Sequence, residues 1–176
     1  MFNNWKIILL AVGILVVQES NAQKEDKLRH RLTFLFSHTH FYGLEENTSE
    51  KKMVIAASIG FNYEYALGKH WAVGLHNDLF MVSFKQEDKE SGESLSRENP
   101  YLVSVVAIYK PWEKWSFYAG PGKEFERNKD FKVIKTGAEF GLPLARSFDI
   151  GFGGEYDWRI GGRDSWALGF SVGWKF

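Results

Sequence analysis

The 176-residue chain contains no cysteine. A disulfide framework and structural zinc of the cysteine type are therefore excluded, and an exported domain of this size must be held by burial, backbone pairing or lipid. Long apolar runs are missing too. Beyond residue 20 nothing approaches the ~20 consecutive apolar residues of a membrane-spanning helix, which excludes a helical membrane protein. Charge of one sign is absent: 22 Lys and Arg stand against 22 Asp and Glu, so nothing points to nucleic acid as a partner. Finally, no segment shows a convincing 3.6-residue apolar period.

One apolar run does exist, at residues 7–17. It follows Lys6 and precedes Gln18, Glu19, Ser20, Asn21 and Ala22. A short basic start, an apolar stretch too short to span a bilayer and a small-x-small junction predict a secretory signal peptide over residues 1–22, cleaved after Ala22. Residues 23–176 then form one domain.

The dominant pattern in that domain has a period of two. In the last segment Trp166, Leu168, Phe170, Val172, Trp174 and Phe176 alternate with Ser165, Ala167, Gly169, Ser171, Gly173 and Lys175. On a strand these sets point to opposite faces, one apolar and aromatic, the other small or charged. The same alternation runs through Ile55, Ala57, Ile59, Phe61, Tyr63 and Tyr65, and through Phe148, Ile150, Phe152, Tyr156 and Trp158. Eight strands are predicted, over residues 31–42, 53–67, 70–85, 100–110, 115–126, 131–143, 148–159 and 164–176. Each reaches the ~9–11 residues of a tilted transmembrane strand. A mean hydropathy of −0.30 is compatible with this, because only alternate residues of such a strand face lipid.

The chain ends on Phe176, directly after this amphipathic strand. With the leader and the alternation, that ending resembles the small eight-stranded outer-membrane β-barrels of the OmpA/OmpX type. The resemblance implies an all-β, antiparallel, up-and-down transmembrane barrel in the bacterial outer membrane. It also implies that Phe170, Val172, Trp174 and Phe176 form a signal read by the barrel assembly machinery. Outer-membrane lipids, including lipopolysaccharide, are the implied surroundings. Connection lengths agree with it. Residues 68–69, 111–114 and 144–147 are tight, whereas residues 44–52, 86–99, 127–130 and 160–163 are longer or more polar. Such barrels keep short turns in the periplasm and longer loops outside, which places both termini in the periplasm.

Aromatics gather at the strand ends, as expected at two membrane interfaces. Trp71, Trp112, Trp115, Phe148, Trp174 and Phe176 are assigned to the periplasmic rim, and Tyr42, Phe84, Tyr101, Phe125, Phe131, Trp158 and Trp166 to the other. The polar faces turn inward, where eight strands leave room only for side chains. The inward charged set is Glu64, His76, Asp78, Lys110, Glu124, Lys135, Glu139, Glu155, Asp157, Arg159 and Lys175, expected to pair across the lumen because isolated buried charges are costly. Three places fit this scheme badly. Pro121 removes a ladder hydrogen bond and predicts a bulge at Gly120-Pro121-Gly122; the segment at residues 102–109 is apolar on both faces; and Lys123 falls on the lipid side.

His38 and His40 share the outward face of Leu32, Phe34 and Phe36. Their spacing suits two zinc ligands, but the sequence offers no third, and they read as a polar pair beside lipid headgroups. No cofactor, metal or catalytic group is assigned. Ser37 and Ser83 could serve as nucleophiles and Glu45 and Glu46 as orienting acids of a lipid-A-modifying enzyme, yet Ser37 points away from His38. A soluble, lipocalin-like exported barrel would turn the apolar face inward around a ligand. Asn47-Thr48-Ser49 is a glycosylation pattern of little meaning in a bacterial protein. Residues 86–99 read as a solvated, mobile loop, with recognition of a surface partner as its alternative role. The leading expectation is a non-enzymatic integral barrel with a structural or surface-interaction role in the envelope.

Overall fold

The computed structural model describes residues 28–44, 51–87 and 94–176. The leader expected at residues 1–22, Glu45, Glu46 and the Asn47-Thr48-Ser49 pattern lie outside the described residues. Ten strands form one antiparallel sheet: β1 (His30–Leu44), β2 (Lys51–Ala66), β3 (Trp71–Met81), β4 (Ser83–Glu87), β5 (Ser94–Glu98), β6 (Tyr101–Trp112), β7 (Trp115–Phe125), β8 (Phe131–Pro143), β9 (Phe148–Ile160) and β10 (Ser165–Lys175). Eight of them, in the order β1-β2-β3-β6-β7-β8-β9-β10, close on themselves through a β10–β1 ladder running from Arg31 opposite Lys175 to Phe41 opposite Ser165. Closure removes the open edges that a flat sheet would leave unpaired. Beyond the ladder, His30 and Phe176 exchange both backbone hydrogen bonds at 3.0 Å, completing the seam.

Alternation decides which side chain goes where. On β3 and β10 every second residue is buried, and the residues between them are mostly exposed. The exposed set includes large apolar or aromatic side chains on each of the eight barrel strands, such as Phe34, Ile55, Leu75, Val105, Phe117, Leu142, Phe152 and Phe170. The buried set is dominated by charged, hydroxyl-bearing and small residues. This is the reverse of a soluble ligand-binding barrel, so the lipocalin-like alternative does not describe the chain.

The segment that was apolar on both faces takes one register. Leu102, Ser104, Val106 and Ile108 of β6 face in, and Tyr101, Val105 and Tyr109 face out. The inward apolar residues have their own partners: Leu102 joins Phe41, Ala56, Phe80 and Val133 in one cluster, and Val106 and Ile108 join Ala72 in another, against which Tyr118 packs. Phe41 and Phe80 meet edge to face, with ring centroids 5.2 Å apart. An apolar layer thus crosses the lumen near the β4–β5 end.

Four expectations are corrected. The strand expected over residues 70–85 breaks at Val82, whose N–H bonds Phe80 O, while Asn99 takes a left-handed φ of 44° opposite it and donates to Val82 O. Residues 86–99, expected as a loop, supply part of the β4–β5 hairpin, paired from Ser83 opposite Glu98 to Glu87 opposite Ser94. Sequence gave no sign of it because this ladder lies past the barrel wall and carries no apolar period. At Pro121 there is no bulge. The β6–β7 register runs straight through, with Ser104 opposite Gly122 and Ala107 opposite Ala119; the irregularity lies instead between Tyr109 and Trp112. Pro121 has no N–H to give, and the ladder omits the two pairs there. Gly120 matters for the same stretch, because a Cβ on it would run into Val105 O and Val106 Cα. Lastly, Phe131, expected on the outer rim, is only 2% exposed and faces in with Val133 and Lys135.

The other rim aromatics with described side chains face outward: Trp71, Trp112, Trp115, Phe148, Trp174 and Phe176 at one end, and Tyr42, Tyr101, Phe125 and Trp158 at the other. Trp166 joins the second group, stacked on His40. The side chain of Phe84 lies outside the described residues.

Candidate functional site: the charged lumen and the outer-wall histidines

Ion pairs fill the lumen in three levels. At the His30–Phe176 end, Arg31 of β1 is the hub. Its guanidinium reaches Glu64 at 2.9 Å, Glu139 at 2.8 Å and Asp149 at 2.6 Å. Lys110 adds a second contact to Glu64 at 3.0 Å, Lys175 a second to Asp149 at 2.9 Å, and Ser171 donates to Glu139 at 2.7 Å. Three cations thus face three carboxylates. Arg31 can do this because its planar fork offers five donors in fixed directions.

The middle level is not balanced. Lys135 is fully buried and lies 2.8 Å from Glu155, 3.2 Å from Asp78 and 3.2 Å from Asp157. One ammonium serves three carboxylates there. Tyr118 donates to Glu155 at 3.2 Å, and its ring lies across Gly137, where any Cβ would overlap it. His76 packs edge-on against Tyr118 with centroids 4.9 Å apart, and neither ring nitrogen has a hydrogen-bond partner. Beside it lies a cavity of about 20 Å³ lined by Glu64, Tyr118 and Glu155 among others, room for roughly one water molecule.

The third level lies under the β4–β5 hairpin. Arg159 donates from Nε to Glu124 at 2.8 Å and from Nη1 to Ser165 at 2.7 Å, and its guanidinium sits 5.2 Å over the Phe41 ring. Arg97 of β5 bonds the other oxygen of Glu124, donates to Lys129 O at 3.3 Å, and lies 4.6 Å over Phe131. Asn128 donates to Ser96 O. On its other side the hairpin pairs with β1, Lys85 opposite Leu44. Since β1 and β7 stand half the barrel circumference apart, the hairpin reaches across the mouth.

The structure brings all eleven of the expected inward residues onto the inner side, but it does not join them in one hydrogen-bonded network, and His76 makes no hydrogen bond among the described residues. Sequence reasoning left Arg31, Asp149 and Arg97 out of the inward charged set, although it put Asp149 on the polar face of its strand. The first two had a signal: Arg31 shares its face with Thr33, Ser37 and Thr39, and Asp149 alternates with Phe148 and Ile150. Arg97 had none, because its burial comes from the fold of the hairpin.

On the outer wall His38 and His40 follow Phe36 along β1, opposite Ala57 and Ile55 of β2 and Leu168 and Trp166 of β10. His40 stacks on Trp166 with centroids 3.8 Å apart and planes 3° from parallel. Among the described residues no group of three His, Asp or Glu side chains could hold a metal ion. Ser37 faces the lumen and bonds Ser58 at 2.9 Å, so the barrel wall separates it from His38. Lys123, the outward cation, is 52% exposed near the end of β7 and pairs with Asp130 at 2.8 Å. That hydrogen bond holds the Asp130 carboxyl below its ordinary value.

The chain matches no protein-family model and no curated protein. Solved structures do match it. Neisserial surface protein A is similar over 84% of this chain and 97% of its own, with a TM-score of 0.59 and 9% identity. The N-terminal β-barrel domain of Pseudomonas aeruginosa OprF covers 83% and 97%, with a TM-score of 0.54 and 14% identity. Ail, the attachment invasion locus protein of Yersinia pestis, in complex with the heparin analogue sucrose octasulfate, covers 83% and 98%, with a TM-score of 0.51 and 16% identity. At such identities the likeness speaks for the fold: this chain has the all-β, eight-stranded, antiparallel closed fold of small outer-membrane barrels.

Proposed function

We propose that the chain is a non-enzymatic integral barrel of the bacterial outer membrane, exported with residues 1–22 removed, with a structural or surface-interaction role in the envelope. The observation that carries this reading is the wall itself. Each barrel strand exposes large apolar side chains outward, while the lumen holds paired charges. In water such a continuous apolar surface would far exceed the few hundred Å² that a soluble monomer exposes. In a bilayer it is what lipid requires, and closure leaves no open sheet edge toward the hydrocarbon.

Both termini lie in the periplasm in this reading, and the β4–β5 hairpin lies outside the cell. The hairpin is then the element placed to meet a surface partner. Phe170, Val172, Trp174 and Phe176 face outward on the closing strand, where the assembly machinery would engage them. Intact mass of the purified envelope protein tests the export step, with Gln23 as the expected first residue. Detergent-phase partitioning and heat-modifiable gel mobility test the barrel: the expected result is a detergent-phase species whose mobility changes on boiling. A water-phase monomer contradicts it.

A further inference from the structure

On the outer wall a groove of about 630 Å³ runs past β1 between β2 and β10, within the size range of ligand sites. Ala57 is the small residue at its centre, and Phe36, Ile55, Met81, Leu168 and Phe170 form its sides. Ala57 stands opposite His38 on one side and Met81 on the other, so the short side chain opens a channel between two long ones. His38 and His40 lie along it. Most of the outer wall is apolar, so two imidazoles here require a reason.

Their height along the wall supplies one. A strand rises about 3.4 Å per residue, or about 2.6 Å along the axis of a barrel tilted by ~40°, so His38 lies about 20 Å and His40 about 26 Å above the His30 rim. The apolar band of such a barrel is ~25 Å tall. His40, stacked on Trp166, therefore sits at the far interface, and His38 just inside the hydrocarbon. Neither imidazole makes a hydrogen bond among the described residues, and because Nδ1 of His40 has no exposed surface, Nε2 is the nitrogen His40 can offer to the groove. A ring N–H placed in lipid without a partner is unfavourable. Among the described residues no group meets this need, and a lipid headgroup at that depth can.

We propose that this groove binds one phosphorylated, acylated lipid of the leaflet bordering the β4–β5 end, with an acyl chain lying over Ala57 and a headgroup oxygen accepting hydrogen bonds from His38 and His40. The proposal rests on the membrane reading above. It assigns to the histidine pair hydrogen bonding to a lipid rather than to a metal.

The test uses the full mature barrel refolded in detergent, with diphosphoryl lipid A as probe and the dephosphorylated lipid beside it, read by native mass spectrometry. The variants are a His38→Leu, His40→Leu double substitution, which removes the donors, and Ala57→Leu, which fills the channel. Both changes place apolar side chains on an apolar wall, and heat-modifiable mobility verifies folding. Retained probe is expected to fall about tenfold in each variant, with phosphate-dependent retention lost in the histidine double variant. Equal retention of both lipids by wild type and variants overturns the site while leaving the barrel reading intact. A chain that stays monomeric in water without detergent overturns both.

Discussion

Lys135 and Glu155 meet at 2.8 Å on neighbouring strands, and the ammonium has no access to solvent. Asp78 and Asp157 also lie within 3.2 Å, and among the described residues Lys135 is the cation that pairs with all three of these carboxylates. Lys135→Met should therefore destabilise the barrel by about 3–5 kcal/mol, the usual effect of orphaning buried charges. Lys175→Met is the contrast. Its side chain is 39% exposed and Arg31 also contacts its partner Asp149, so the expected loss is about 0–1 kcal/mol. Guanidinium unfolding of the two variants in the same detergent checks the difference; equal losses would mean that the middle level is not the cornerstone of the lumen.

The barrel should not conduct. Ion pairs occupy the lumen, the apolar layer of Phe41, Phe80, Leu102 and Val133 crosses it, and the cavity beside His76 holds only about 20 Å³. Aqueous channels belong to barrels of about 16 strands. In planar bilayers the wild type should be silent, and deleting the β4–β5 hairpin should leave it silent because the apolar layer lies beneath the hairpin. Large ohmic openings in the wild type would refute a filled lumen.

The period of two made most of the fold legible, because an apolar outer wall and a polar lumen put opposite chemistry on alternate residues. It worked for β2, β9 and β10 without ambiguity. It failed for β4 and β5, which lie beyond the wall, where Ser83, Lys85 and Glu87 alternate with Phe84 and Gln86, and Ser94, Ser96 and Glu98 with Leu95 and Arg97, so neither strand has a wholly apolar face. Phe131 was misplaced because an aromatic residue at a strand end looks like an interface residue; its shared parity with Lys135 was the better guide. Arg97 could not be found by pattern at all. Its cation is buried by a hairpin that crosses the mouth, a relationship carried by tertiary structure alone.

Phe176 should matter for assembly beyond its size. It exchanges two backbone hydrogen bonds with His30 at the end of the seam, and its ring stacks on His30 at 5.2 Å and on Trp174 at 4.7 Å. Phe176→Ala keeps the backbone pair and removes both stacks, each worth about 0.5–1.5 kcal/mol between aromatic rings. The folded fraction in cell envelopes, read by heat-modifiable mobility, should drop several-fold. An unchanged fraction would deny the terminal aromatic any part in closing or delivering the barrel.

The absence of cysteine makes topology simple to measure. Ser96→Cys in β5 and Lys114→Cys in the β6–β7 turn occupy exposed positions at opposite ends of the barrel. A membrane-impermeant maleimide added to intact cells should label position 96 and leave position 114 unlabelled until the outer membrane is breached. The reverse pattern would invert the orientation.

In the proposed membrane barrel the apolar wall faces lipid, and the tryptophans report on it directly. Apart from Trp5, which falls in the proposed leader, Trp71, Trp112, Trp115 and Trp174 stand at one rim, and Trp158 and Trp166 at the other. In vesicles of lipids brominated at successive depths along the acyl chain, fluorescence of the mature protein should be quenched, most strongly by bromines near the headgroups and least by those at the bilayer centre. Fluorescence unaffected by bromine at any depth, from a protein that remains in the aqueous phase, would contradict the account.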